Sequence, residues 1–470
     1  MVKTLKSSLL SILLLLVTAS LSSQSVTLKP RLVVLTDIKD FEPDDQQSLT
    51  RLLVHADLYE IEGIVISTSW GFKNMYEHLD SKDKALGVIA AYEKDLPNLL
   101  KRSNQTGFAQ DKEHQEIGYW PSAQYLRDRT MFGSMYRGTR VLGEENDSEG
   151  SDLIIKLADE EDDRPVWVTF WGGGNTLAQA IWKVRQTRSA SELKRFLHKV
   201  RAYAIADQDR SNVKGDDRLA SFESSSHAWM RREFSDDLLF IWEDCAWWYQ
   251  VSHGRDQWPD YETHVKHHGN LGRQYPKYHF GVEGDTPSFL HIMPNGLNNP
   301  DVPTQVGWGG YSEWGLGEDS CGYSHVNRTG DAHIICWKYA EYFYPATFNN
   351  FAARMDWANE GKGNRNPIAI INGNEGIEIM NEMPRQGATV TLDASRSYDP
   401  EGDSLTYKWW IQPEAGTCTK EITLSNEHTS TVNIEVPCGS AGLTFHVICE
   451  ITDNGFPNLN SYRRIIFEPK

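Results

Sequence analysis

Residues 32–45, LVVLTDIKDFEPDD, place Asp37, Asp40, Glu42, Asp44 and Asp45 within nine positions. Carboxylates this dense repel one another unless a cation sits among them. An oxygen-only donor set suits a hard ion, calcium before magnesium. A solvated acidic turn in which Asp44 or Asp45 caps a helix accounts for any one of these acids. It accounts less well for the group: a cap uses one or two carboxylates, whereas here an acid ends an apolar run and a pair opens the next element.

The elements that must carry these acids are legible from spacing. Residues 32–35 form an apolar run of strand type. Leu49, Leu52 and Leu53 recur at the i, i+3, i+4 interval of a helix, and residues 61–66 form a second strand. This is a β-α-β unit, and in parallel sheets sites form outside the carboxyl ends of the strands. Acid recurs at such ends. Residues 200–205 run into Asp207-Gln208-Asp209, and residues 237–242 run into Glu243-Asp244. A sugar-hydroxyl contact and a plain loop turn both fit Asp207 and Asp209. The strand at 165–170 leads into WGGGNT, where three glycines permit close backbone approach to a ligand or simply a tight turn. Asn175 or Thr176 is the expected cap of the helix that follows.

Strand, Asp, loop, Asp-Asp, helix resembles the calcium-binding signature of nucleoside hydrolases. The wording TDIKDFEPDD, QQSLTRLL and IEGIVIST is closer to a bacterial nucleoside-hydrolase-like family named for cellulose binding. The resemblance covers nearly the whole chain beyond its leader. It implies a Ca²⁺ site built from Asp37, Asp44, Asp45, the backbone carbonyl of Trp171 and Asp285, with Asp37 as the base. Asp40 is the alternative to Asp37, since it keeps the family's D-x-x-x-D-D spacing, whereas Asp37 directly ends the apolar strand. Asn175, Asp207, Asp209 and Glu283 are the implied substrate contacts. The family's late His-Asp pair is incomplete: Glu283 and Asp285 supply acid, but no His matches, and His291 lies six residues beyond Asp285.

The chain has 470 residues and a net charge of −18, which argues against nucleic acid as a partner. Residues 1–23 read as a secretory signal: Lys3 and Lys6, a short apolar core, then small residues. No membrane anchor is expected beyond it, and the destination is the periplasm or the medium of a bacterium. Of six cysteines, Cys418 and Cys438 are the expected disulfide. Residues 118–133 read as loop, and the His-rich stretch 253–279 as a surface loop. Residues 331–343 and 348–357, on either side of Pro345, read as two helices. The Gly- and Trp-rich segment 306–317 offers Trp308, Tyr311 and Trp314 for stacking on sugar, or for pinning the loop to a core. From residue 365, period-two runs separated by turns read as an Ig-like sandwich resembling polycystic-kidney-disease modules. Within it Asp399, Glu401 and Asp403 fit either a structural calcium or a polar hairpin turn.

The expected architecture is a Rossmann-like, mostly parallel α/β domain over 30–360, with an all-β Ig-like sandwich over 365–470. The expected activity is Ca²⁺-dependent hydrolysis of a glycosidic bond in an oligosaccharide or glycoside. The rivals are a non-catalytic cellulose- or polysaccharide-binding protein and a nucleoside hydrolase. A homo-oligomer is left open.

Overall fold

Strand β1 (Arg31–Thr36) is buried along its whole length. Its alternation sends Leu32 and Val34 into one hydrophobic core and Val33 and Leu35 into another. Such a strand belongs in the middle of a parallel sheet covered on both faces. The computed structural model describes residues 27–39, 43–68, 76–105, 108, 115–139, 142–209 and 225–470. The expected leader at 1–23, Asp40 and Glu42 lie outside the described residues.

The sheet contains β1, β2 (Glu60–Ile66), β3 (Thr130–Phe132), β4 (Val166–Phe170), β5 (Val200–Ile205), β6 (Leu239–Glu243), β7 (Glu313–Leu316) and β8 (Tyr323–Val326). Their order is β3-β2-β1-β4-β5-β6-β8-β7, parallel apart from the antiparallel β7–β8 pair. The order reverses between β1 and β4. The helix Asp44–Leu53, which follows β1, packs Leu49, Leu52 and Leu53 into the first core, and the helix Asn175–Thr187, which follows β4, packs Leu177 and Ile181 into the second. The two connections therefore part to opposite faces, the arrangement that in parallel sheets places a binding site at the carboxyl ends of the strands.

Three expected loops or breaks prove to be helical. Residues 118–133 hold the helix Ala123–Asp128 and β3. The His-rich stretch carries the helices Ala246–Asp256, Trp258–His264 and Gly269–Gln274. Their buried sides use Tyr249, Trp258, Tyr261 and Leu271, so short pieces too brief to show a period are held by packing. A single helix, Gly330–Glu360, runs through Pro345, carried by the burial of Phe343, Tyr344, Phe348 and Phe351. Among the described residues no helix is long and apolar enough to cross a membrane.

The C-terminal strands form a sandwich. Met380–Glu382, Asn460–Phe467, Phe445–Asp453 and Leu405–Gln412 make one sheet, and Thr389–Asp393, Thr431–Glu435 and Thr423–Ser425 the other. Leu392, Val432, Val447 and Ile465 share the core between them. The sandwich is bonded to the α/β domain through Trp308 Nε1 to Tyr462 Oη (3.3 Å), Gln412 Nε2 to the Thr304 carbonyl (2.9 Å) and Tyr342 Oη to Glu450 (2.6 Å). Cys418 and Cys438 are both free thiols, which corrects the expected disulfide.

Candidate metal centre at the carboxyl rim of the sheet

The helix Asp44–Leu53 starts after Pro43 without a side-chain cap, so neither Asp44 nor Asp45 is the cap. Both lie in its first turn, where unpaired peptide N–H groups favour negative charge. Asp45 is buried, and its Oδ1 accepts from the Asp37 amide (3.2 Å) and from the Thr36 hydroxyl. Asp285 precedes the short helix Thr286–Leu290 and likewise caps nothing with its side chain. One carboxylate oxygen each from Asp44, Asp45 and Asp285 lies within 4.8 Å of the other two. Burial, then the charges of Asp37 and Asp44, push the Asp45 carboxyl well above the usual carboxylate range, with Thr36 and Lys39 opposing. A cation among the three oxygens would remove that conflict, and a donor set of carboxylate oxygens fits a hard divalent ion such as Ca²⁺.

Asp285 is delivered by contacts one turn along the same helix. The Glu283 amide donates to Gln47 Oε1 (2.8 Å), and its carboxylate receives Arg51 Nη1 (2.6 Å) and Tyr275 Oη (2.8 Å). Thr286 Oγ1 bonds Ser48 Oγ at 3.2 Å. Glu283, fully buried, with a backbone φ of +56°, is thus a positioning residue on the scaffold side. Its carboxylate is taken up by Arg51 and Tyr275, in place of the expected contact with substrate. Arg51 went unnoticed in the sequence, although an arginine inside an apolar helical stripe signals a buried partner.

Asp37 stands beside the three-oxygen group and not in it: its Oδ2 pairs with Lys39 Nζ at 3.1 Å. The Trp171 indole is buried and donates to Ser288 Oγ (2.7 Å), which donates to the Asp285 carbonyl (2.6 Å). The Trp171 carbonyl, the expected ligand atom, accepts a bond from the Gln208 side-chain amide. Gly172 and Gly173 lie close against side chains of the chain itself. A Cβ on Gly172 would sit 2.9 Å from Asp37 Cβ, and one on Gly173 would sit 2.9 Å from both Asn175 Oδ1 and Asp209 Oδ1. Gly174, not Asn175 or Thr176, is the helix N-cap, which frees the Asn175 amide for other use.

Asn175, Asp207 and Asp209 form a neighbouring cluster, all buried. Asp209 Oδ2 accepts from the Ser226 amide (2.7 Å) and hydroxyl, while its Oδ1 and the Oδ1 of Asn175 have no hydrogen-bond partner. Asp207 Oδ1 accepts from Ser225 Oγ (2.9 Å) and the Asp209 amide (3.1 Å). Burial, then the Asp209 charge, raises Asp207 to about 7, and burial raises Asp209 to about 6. Glu243, at the next strand end, is raised to about 7 by burial but accepts the amides of Cys245, Ala246 and Trp247, so it caps a helix.

The aromatic expectations divide. Trp308 and Tyr311 are buried, Trp308 against Tyr462 and Tyr311 bonded to Glu313 (2.7 Å), so neither offers a face to sugar. Trp314, on edge strand β7, is half exposed and lies near-parallel to the equally exposed Tyr323 of β8, at 6.2 Å and 22°.

Residues 31–311 match the family described as cellulose-binding Sde182, nucleoside hydrolase-like domain, and residues 389–469 the cellulose-binding protein Sde0182 C-terminal domain. No curated protein matches the chain. A solved structure, described as a nucleoside hydrolase-related hypothetical protein from Saccharophagus degradans that is associated with carbohydrate metabolism, is 32% identical. It covers 94% of this chain and 100% of its own, with a TM-score of 0.79. The PKD domain from KIAA 1837 protein, 18% identical over 20% of this chain and 83% of that one, has a TM-score of 0.15, too low to carry an argument. The chain therefore belongs to the nucleoside hydrolase-like family named for cellulose binding, with that family's C-terminal domain attached.

Proposed function

We propose that this chain is an exported, Ca²⁺-dependent hydrolase that cleaves a glycosidic bond in a carbohydrate. The observation that carries the reading is the convergence of Asp44, Asp45 and Asp285, whose carboxylate oxygens lie within 4.8 Å of one another at the carboxyl rim of the sheet. These three residues would hold the ion. Bound there, Ca²⁺ would supply charge to orient a water and sugar hydroxyls. Asp37, next to that group, is the base that takes the proton of the water as the glycosidic C–O bond breaks through an oxocarbenium-like state, and the departing oxygen takes its proton from solvent. Asn175 Oδ1 and Asp209 Oδ1, buried and without partners, are acceptors for substrate hydroxyls. The Trp171 carbonyl, held by Gln208, stays outside the metal donor set we assign, and Glu283, Trp308 and Tyr311 stay outside the substrate contacts. Association of the related structure with carbohydrate metabolism supports a sugar substrate.

The nucleoside reading is disfavoured by His291. Its Nε2 bonds the Pro300 carbonyl (2.9 Å) and burial lowers it to about 4, so it is in no position to protonate a nucleobase. A non-catalytic polysaccharide binder is favoured by a separate observation, the exposed Trp314–Tyr323 face.

The test is incubation with Ca²⁺ and a panel of plant and algal oligosaccharides, for the parent and for Asp45→Ala. Products from the parent and none from the variant are expected. Retention on insoluble glycan without products, lost in Trp314→Ala and kept in Asp45→Ala, would give the binding reading precedence.

A further inference from the structure

The sandwich carries two buried carboxylates of its own, Asp399 and Asp453, the charge of one acting on the other. Asp399 lies in the turn at 397–403, and Asp453 ends the strand Phe445–Asp453. Leu405 pairs with Asp453 across the sheet, the Ser404 amide donates to Asn454 Oδ1 (2.8 Å), and the Asn454 amide donates to the Ser404 carbonyl (3.1 Å). Turn and strand end are therefore side by side. Asp399 is 7% exposed and Asp453 is 3% exposed.

Each acid uses one oxygen fully and leaves the other unused. Asp399 Oδ1 accepts the amides of Glu401 (2.7 Å) and Asp403 (3.1 Å). Asp453 Oδ1 accepts the amides of Gly455 (2.9 Å) and Leu459 (3.1 Å) and Asn364 Nδ2 (2.8 Å). The Oδ2 atoms of both are buried and have no hydrogen-bond partner. Burial, joined by the Asp399 charge, raises the Asp453 carboxyl above its usual range, although its three hydrogen bonds oppose this. Asparagine at either position would keep every Oδ1 bond without burying a charge. Two buried carboxylates with idle oxygens are costly unless something binds those oxygens.

We propose that the Oδ2 atoms of Asp399 and Asp453 together bind a divalent cation of the Ca²⁺ type, with water and carbonyl oxygens filling its remaining coordination. The site lies where the sandwich meets the α/β domain. Asn364 donates to Asp453 and to the Pro457 carbonyl (3.0 Å), and its own carbonyl receives Trp357 Nε1 (2.8 Å) from the helix Gly330–Glu360. Glu401, in the same turn, pairs with Arg102 (2.5 Å) on the helix Tyr76–Ser103 and with Arg365 (2.8 Å). Cation binding would fasten the turn, the strand end and the interdomain segment to one another. This proposal stands independently of the metal centre at the rim.

The experiment uses the full chain, stripped of metal, with Ca²⁺ titrated by calorimetry and by thermal unfolding. Wild type, Asp45→Asn, Asp399→Asn and Asp453→Asn are compared, with circular dichroism confirming each fold. Asp45→Asn is expected to keep one class of bound Ca²⁺ and a Tm that rises with it. Asp399→Asn and Asp453→Asn are expected to bind that Ca²⁺ at least ~10-fold more weakly, about 1.4 kcal/mol, and in EDTA to match or exceed wild type in Tm. Equal Ca²⁺ stoichiometry and Tm response in wild type and in whichever of these two variants folds would overturn the proposal. So would a wild-type protein stabilised by acid and not by Ca²⁺, because a proton would then join the two oxygens.

Discussion

The two ends of the parallel sheet treat buried acid in opposite ways. At the amino ends, Arg31 is fully buried and meets Glu62 (2.8 Å), Glu160 and Asp162 (3.9 Å), while Arg164 meets Glu60 (2.7 Å) and Asp162 (2.6 Å). Acid there is matched by guanidinium, which supplies fixed donors at fixed angles. At the carboxyl ends, carboxylate oxygens of Asp44, Asp45 and Asp285 lie within 4.8 Å of one another, and Asp45 is held above its usual range by burial and then by the charges of Asp37 and Asp44. The first arrangement pairs its acids with arginine and belongs to folding. The second gains from an exchangeable cation, which is the property a binding site needs and a folding core does not.

Removing a charge should therefore have opposite consequences at the two ends. Arg31→Ala leaves Glu62 and Glu160 without their central partner, and a stability loss of about 3–5 kcal/mol is expected in denaturant unfolding. A loss below ~1 kcal/mol would mean that the acids find water and that the contrast is false. Asp45→Asn keeps an oxygen for the Asp37 amide and the Thr36 hydroxyl while deleting a buried charge. In EDTA its unfolding free energy should equal or exceed that of wild type, while Ca²⁺ affinity at the rim falls at least ~100-fold, about 2.7 kcal/mol. Destabilisation of the metal-free variant would show that the negative charge is structural.

Gly173→Ala probes how tightly the rim is assembled. The new Cβ would meet Thr68 Cγ2 at 2.7 Å and the Oδ1 atoms of Asn175 and Asp209 at 2.9 Å, so one of these must move. A stability cost of about 1–3 kcal/mol is expected, with sugar binding reduced and Ca²⁺ binding at Asp45 retained. If sugar binding survives unchanged, Asn175 and Asp209 are not the hydroxyl acceptors.

What the sequence revealed of this rim follows from distance along the chain. The pair Asp44-Asp45 was legible because a strand, a short turn and a helix are local, and their order fixes where the pair must point. Asp285 came through the family resemblance and joins that pair in space. Asp37 was placed in the same group because it ends β1, but nothing in the spacing announced that Lys39 would turn back onto it. The spacing left Trp308 open between stacking on sugar and pinning to a core, because Tyr462, which receives its indole N–H, lies 154 residues along the chain. Asp399 was visible only as part of an acidic turn, for its partner Asp453 sits on a strand that the turn meets only in the folded sheet. Periodicity likewise missed the short helices of the His-rich stretch and the continuity through Pro345, both of which depend on tertiary burial overriding local preference.

A pH series tests whether the rim is one site or two. Folded Asp207 keeps its proton up to about pH 7, whereas an unfolded aspartate releases it near ~4. Between those values the folded chain holds more protons, so the contribution of Asp207 to stability falls as pH rises through the window and is flat above it. Buried His55, lowered to about 3 mainly by burial, works the other way, its contribution rising with pH to ~6.5. Asp207→Asn retains an oxygen for Ser225 and the Asp209 amide and leaves His55 untouched. In EDTA, the stability of the variant relative to wild type should therefore rise from pH 4.5 to 8, by up to about 3 kcal/mol. A difference that does not change with pH would remove Asp207 as the source. Repeating the series in Ca²⁺ should leave that rise in place, because Asp207 stands outside the three-oxygen group that gathers Asp44, Asp45 and Asp285. If Ca²⁺ abolishes it, the β5 acids share the ion, and the assignment of Asn175 and Asp209 to sugar alone gives way to a single, larger metal centre.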